Sequence, residues 1–370
     1  MLIEEARRVA GEWARTEGAR LPGFAGAFLT GSALWAEPGT VLPASSDVDV
    51  MVVLDDPARS AGGGKFRHRG VLLEVSCLPA AAVGSAQTVL GDYHLAGAFH
   101  RPGVLADPTG RLTSLQREVA RRFAERHWVL ARCDHALDRV RAFLADVAET
   151  GAPPGTEPAE PPTAAAGVGE SAGSGSPAGS EGVGEPAGRV SAWLFGTGVT
   201  AHVLLVAGLR NPTIRRRYEA AGELLAGRGL SGYHEYLLDL LGCAALTPSR
   251  ARHHLAALER AFDRAAPVHA PAYRFSSDIT EAARPIAVDG SRDLIDRGLH
   301  REAVFWLVAT YARCLAKLAA AGQEPGAGLR DGFHELLTDL GAGTDRDRRH
   351  RATRVLTALP DLRRTAESLA

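Results

Sequence analysis

The run Ser46-Asp47-Val48-Asp49-Val50-Met51-Val52-Val53 constrains this chain more than any other segment. Its apolar positions are mostly β-branched, so it reads as a strand, and a strand sends alternate residues to the same face. Asp47 and Asp49 therefore project side by side from a rigid, otherwise apolar support. A second apolar run, Val71-Leu72-Leu73-Glu74-Val75, carries one carboxylate, Glu74, in phase with Leu72 and Ser76. If the two strands are neighbours, three carboxylates converge on one patch.

Carboxylates that close repel one another and raise their own pKa values unless a cation lies among them. Mg²⁺ is the expected cation. It takes oxygen ligands, keeps several waters and is commonly completed by substrate phosphates. Two such ions would serve an attacking hydroxyl and a leaving pyrophosphate together. Upstream, Phe24–Leu29 reads as a strand running into Gly31-Ser32-Ala33-Leu34. Glycine lets a phosphate approach the backbone, serine offers a hydroxyl, and a following helix presents N–H groups.

An apolar strand, Gly-Ser, Asp-x-Asp and a further acidic residue on a strand together resemble the polymerase-β-type nucleotidyltransferase superfamily, and within it the antibiotic-modifying enzymes. The resemblance implies that Asp47 and Asp49 are the metal-binding pair, Glu74 the third acidic residue, and Gly31 with Ser32 the nucleotide-phosphate loop. One departure is the longer gap between Ser32 and Asp47, which contains Pro38, Gly39 and Pro43 and extends that loop. The implied activity is Mg²⁺-dependent transfer of a nucleoside monophosphate, AMP from ATP, onto a hydroxyl of a small acceptor, an antibiotic such as an aminoglycoside being one case. Two alternatives stay open. One is a toxin-type enzyme acting on protein or tRNA; the other is a degenerate nucleotide-binding regulatory protein, which the complete set Asp47, Asp49 and Glu74 opposes. An aminoglycoside cleft should be acidic and a tRNA cleft basic.

Glu74 is the first candidate for the general base. Asp278 and Glu281 are rivals, although their place at a helix start gives them an ordinary capping role. Glu302, in an apolar helix, is another rival. Arg215, Arg216 and Arg217 read as a surface run at a helix start, with phosphate contact as the alternative. Gly62-Gly63-Gly64-Lys65 is no P-loop, because Phe66 stands where Ser or Thr is required. Residues 55–70 read as a flexible connection between two strands, with Lys65, Arg67, His68 and Arg69 solvated.

The chain of 370 residues is 45% apolar with a formal charge of −1, enough for two domains and not basic enough for a dedicated nucleic-acid binder. Cys77, Cys133, Cys243 and Cys314 form no Cys-x-x-Cys pair and read as reduced thiols. The N-terminus lacks the plan of a signal peptide, so a cytoplasmic location is expected. Residues 191–209 carry no charged side chain, but their Ser, Thr, Gly and His content points to a buried core helix rather than a membrane span. Residues 151–188, rich in Gly, Pro, Ala, Ser, Thr and Glu, cannot bury enough surface to fold and read as a disordered linker.

Before that linker, apolar residues spaced by three and four from Leu115 to Val147 predict one long helix capped at Thr113 or Ser114. After it, helices are expected over 249–266, 293–321 and 331–340, and Asn211-Pro212 reads as a helix start. The expected fold is α+β: a small mixed-sheet catalytic domain (1–112), a helix opening the helical domain (113–150), the linker (151–188) and an α-helical bundle (189–370). A homodimer is left open.

Overall fold

The computed structural model describes residues 1–56, 63–148 and 185–370. Its fold is mixed α and β, in keeping with the expected class. Five strands, Phe24–Leu29 (β1), Val48–Leu54 (β2), Gly64–His68 (β3), Val71–Pro79 (β4) and Val104–Ala106 (β5), make one sheet ordered β3-β4-β2-β1-β5. β2 lies at its centre, parallel to β4 and antiparallel to β1. Six of the seven β2 residues are buried, Asp49 being the half-buried exception. A mixed sheet covered on both faces explains that near-continuous Val-rich run.

β3 corrects the expectation of a flexible connection over 55–70. His68 pairs with Val71 across Arg69 and Gly70, whose φ values are 47° and 84°. Positive φ at both central residues is the two-residue hairpin geometry that matches strand twist. Residues 57–62 lie outside the described ones. The loop between Ser32 and Asp47 is strapped to the first helix, Ile3–Thr16 (α1): Ile3 N–H donates to the Thr40 carbonyl at 2.8 Å, and Gly39 N–H to Glu4 at 2.6 Å.

The sheet shares one hydrophobic core with α1, Ala86–Gly91 (α3), Leu95–Phe99 (α4) and Arg111–Arg122 (α5), while Gly31–Trp35 (α2) begins at the end of β1. That core runs past residue 112 to Leu115 and Val119 on α5. The long helix expected from residue 113 is two helices, α5 and Arg126–Ala148 (α6), interrupted at residues 123–125. α5 also starts earlier than expected, with Gly110 (φ 75°) as its N-cap. The Asp107 carboxylate, upstream of the helix, accepts the Thr113 N–H at 2.9 Å, so Thr113 and Ser114 lie inside the first turns.

A second core is helical. It unites α6, Glu185–Ala207 (α7), Arg217–Ala226 (α8), Ser231–Leu241 (α9), Pro248–Ala265 (α10), Gly290–Asp296 (α11), Val304–Ala320 (α12), Ala327–Asp339 (α13) and Asp345–Leu369 (α14). α10 and α13 match the expected helices. The single helix expected over 293–321 is α11 and α12, because Gly298 at φ 86° ends the first in a left-handed turn. Asn211-Pro212 starts no helix. His202 Nε2 pairs with the Thr213 carbonyl at 3.0 Å and Arg217 Nε donates to that of Ile214 at 2.8 Å, holding the segment irregular until α8.

Most of the expected linker, residues 151–184, lies outside the described residues; its last four residues, 185–188, instead open α7. Among the described residues one helix, over Gly188–Ala207, is long and apolar enough to cross a membrane, and 89% of it is buried inside the fold, as a core helix should be. Trp193 on α7 is fully buried. Trp193→Ala should cost about 3–5 kcal/mol, read as a lower denaturation midpoint in urea. None of the four cysteines is in a disulfide, and three of them are buried.

Candidate active site

Strand register assembles the site. Asp49 stands opposite Glu74 across β2 and β4, and Lys65 stands opposite Glu74 across β3 and β4. Paired residues share a face, so Lys65, Glu74 and Asp49 form one row, and Asp47, two residues before Asp49, joins it. The ligand atoms of Asp47, Asp49 and Glu74 lie within 4.8 Å of one another. Opposite oxygens of a Mg²⁺ octahedron are about 4.2 Å apart, so small side-chain rotations would let all three bind one ion. The donor set, oxygen only, suits a hard cation.

At the next strand, Thr30 N–H donates to the Asp49 carbonyl at 3.1 Å and Gly31 opens α2 at φ 64°. A Cβ on Gly31 would overlap the Asp49 carboxylate, so glycine is needed both for the backbone and for the space. Gly31 and Ser32 border the same cavity as the three carboxylates, a space of about 990 Å³ whose other wall comes from the helical half.

Lys65, expected to be solvated, has a side chain only 8% exposed. Its Nζ lies 2.9 Å from Asp47 Oδ2 and 3.2 Å from Asp278 Oδ1, and it also pairs with Glu74 Oε2. The clue in the sequence was the Arg69-Gly70 turn: a two-residue loop there forces Lys65 opposite Glu74. Asp278, from the turn Ser276–Asp278, is brought into the cluster and also accepts Arg313 NH1 at 2.9 Å. The other two rivals are not: Glu281 and Glu302 do not line the cavity, and Glu302 faces His234 at 3.7 Å.

The Arg215–Arg217 run is not a surface run. Only Arg216 is exposed, and it pairs with Glu219 at 2.5 Å. Arg217 is fully buried over Phe305, its guanidinium 4.0 Å from the ring centre. Arg215 lines the cavity, stacked 4.3 Å over Trp306, and its NH1 is buried with no hydrogen-bond partner among the described residues.

Burial, then the charges of Asp47 and Glu74, push the Asp49 carboxyl well above the carboxylate range. Burial also raises Glu74 to about 7 although Lys65 opposes it. For Asp47 burial acts upward too, but Lys65 and then Arg215 outweigh it and hold the group below its usual value. Lys65 is desolvated, yet Asp47, Glu74 and Asp278 keep it charged to well above its usual range. Burial lowers Arg215 to about 10.

The raised Glu74 has a consequence for stability. Between pH 4.5 and about 7 the folded chain keeps a proton that the unfolded chain has lost, so this group's contribution to stability falls as pH rises through that window. Glu74→Gln should flatten that part of the melting-temperature profile relative to wild type; parallel profiles would refute the assignment.

No family model matches this chain, and no curated protein matches it either. Function is therefore read from the site's own chemistry.

Proposed function

We propose that this chain is a Mg²⁺-dependent nucleotidyltransferase that moves AMP from ATP onto a hydroxyl of a small acceptor. One observation carries the reading: Asp47, Asp49 and Glu74 converge beside Gly31-Ser32 on a cavity shared by the sheet and the helical half. In this reading the sheet and the helices that share its core, through α5, form the nucleotidyltransferase domain and the helical bundle supplies the acceptor wall. Four free thiols and a need for ATP suit a cytoplasmic enzyme.

Asp47, Asp49 and Glu74 would hold one Mg²⁺, or two with help from the substrate. When bound, Mg²⁺ supplies charge neutralisation at the α-phosphate and the leaving pyrophosphate. The chain's own groups do the rest. Gly31 leaves room for a phosphate, the Ser32 hydroxyl can donate to it, and Arg215, which lines the cavity, would supply a guanidinium to a phosphate oxygen after a side-chain rotation. The acceptor oxygen bonds to the α-phosphorus as the bond to the bridging oxygen breaks, and pyrophosphate leaves with that electron pair. The hydroxyl proton passes to Glu74, the carboxylate of the trio taken as general base.

The cavity volume falls at the upper end of small-molecule sites, enough for a nucleotide with a modest acceptor. Its charge narrows the acceptor. Outside the carboxylate cluster, the described lining carries Glu37, Glu223 and Asp293 against Arg101, Arg210, Arg215, Arg216, Arg297 and Arg313. That lining favours a neutral or anionic hydroxylated acceptor over a polycationic aminoglycoside. It also favours, as second reading, the toxin-type alternative with tRNA as acceptor.

Calorimetric titration of ATP with and without Mg²⁺, on wild type and Asp49→Asn, tests the proposal. Metal-dependent binding by wild type, lost in the variant, is expected. No binding by wild type would overturn ATP as the donor and favour the degenerate reading.

A further inference from the structure

Of the 42 basic residues in the chain, only Lys65 and Lys317 are lysines. Both are buried, and both grip the same segment. Lys317, 1% exposed, donates to the Ile279 carbonyl at 2.5 Å and to that of Ala266 at 3.3 Å. Lys65 pairs with Asp278, the neighbour of Ile279, and with Asp47 and Glu74. Elsewhere the chain uses arginine, whose planar fork suits carboxylates one at a time. An ammonium is a compact point charge with three donors, able to sit among three carboxylates as a small cation does.

The oxygens that hold it are the decisive detail. Lys65 engages Asp47 Oδ2 and Glu74 Oε2, and both residues belong to the trio whose ligand atoms could surround an ion. A divalent ion and the ammonium would draw on the same two carboxylates, Asp47 and Glu74, at close range, where like charges in a desolvated setting repel strongly. Both cannot be held fully at once.

We propose that the Lys65 ammonium is the resident counter-ion of the cation site, and that a divalent ion enters by displacing it from Asp47 and Glu74. The inference rests on the metal-site reading above. The freed amine remains tethered to β3 on the lining of the cavity, where a triphosphate would offer it new anionic partners. Lys65 thereby disfavours the metal-loaded state until nucleotide arrives.

The test is calorimetric titration of Mn²⁺, without nucleotide, into full-length wild type, Lys65→Met and Asp49→Asn. Lys65→Met should bind Mn²⁺ about tenfold or more tighter than wild type, and Asp49→Asn should bind it more weakly than wild type, or not at all if wild-type binding is already weak. Equal affinities in wild type and Lys65→Met, with binding lost in Asp49→Asn, would overturn the displacement and leave the metal site standing. No Mn²⁺ binding by any of the three would overturn the metal reading and this inference with it. Because Lys65→Met leaves buried carboxylates without their counter-charge, a wild-type measurement accompanies it. Reductive methylation followed by peptide mass spectrometry should leave Lys65 unmodified without Mg²⁺ and modify it under saturating Mg²⁺, with buried Lys317 unmodified in both. Protection of Lys65 that persists at saturation would overturn the proposal even if the variant fails to fold.

Discussion

Asp49→Asn should reduce nucleotidyl transfer at least about 10³-fold while leaving the protein no less stable than wild type. The loss follows from removing a charged ligand where a phosphoryl centre must be neutralised, and electrostatic contributions of this kind are the largest in such chemistry. The stability side follows from the site itself. Asp49 is held uncomfortably: burial and the neighbouring Asp47 and Glu74 push its carboxyl well above the carboxylate range. An amide of the same shape removes that repulsion, and the Thr30 N–H bond to the backbone carbonyl is untouched. The melting temperature should therefore hold or rise as activity disappears, a stability–activity trade-off localised to one oxygen. Asp47→Asn should lose activity equally but melt earlier, because Asp47 pairs with Lys65 at 2.9 Å. Pyrophosphate release and thermal unfolding read both quantities. Activity within tenfold of wild type in either variant would refute the assignment.

Gly31→Ala should be the second most damaging change, for a steric reason. At φ 64° a non-glycine residue costs about 1–2 kcal/mol in the backbone alone. The added methyl would also occupy the space of the Asp49 carboxylate, so that side chain must swing away from Asp47 and Glu74. Displacing a reacting group by about 1 Å costs roughly 10²-fold in rate, and that is the minimum expected here. Gly110→Ala separates strain from displacement. Gly110 has φ 75°, and no atom lies within 4 Å of the place its methyl would take, so its replacement should lower the melting temperature comparably and spare activity. Equal activity losses in the two variants would show that strain, not Asp49, is responsible.

The carboxylate-bearing strands were readable because their signal is local. Alternation over a few residues assigns Asp47 and Asp49 to one face whatever the rest of the chain does. Glu74 was readable for the same reason, given only that the two strands are neighbours, which their parallel pairing bears out. Lys65 was missed because a glycine-rich approach and a run of basic residues look solvated until the turn at Arg69-Gly70 sets the hairpin register. Helix ends were misjudged where side chains outside the periodic run decided them, as with Asp107 reaching Thr113 and the Thr213 and Ile214 carbonyls held by side chains from α7 and α8.

By itself, then, the sequence determined the two carboxylate-bearing strands, the Gly-Ser turn beside them and a helical second half, since each depends on patterns repeating over two to four residues. Only the tertiary structure decided that Asp278 meets Lys65 and that Arg215 is stacked over Trp306 on the lining of the cavity. Only it decided that arginines outnumber acids on the helical wall of the cavity. Those residues come from the far side of the chain, and no local periodicity encodes which of many charged side chains a packed helical half will point at a sheet.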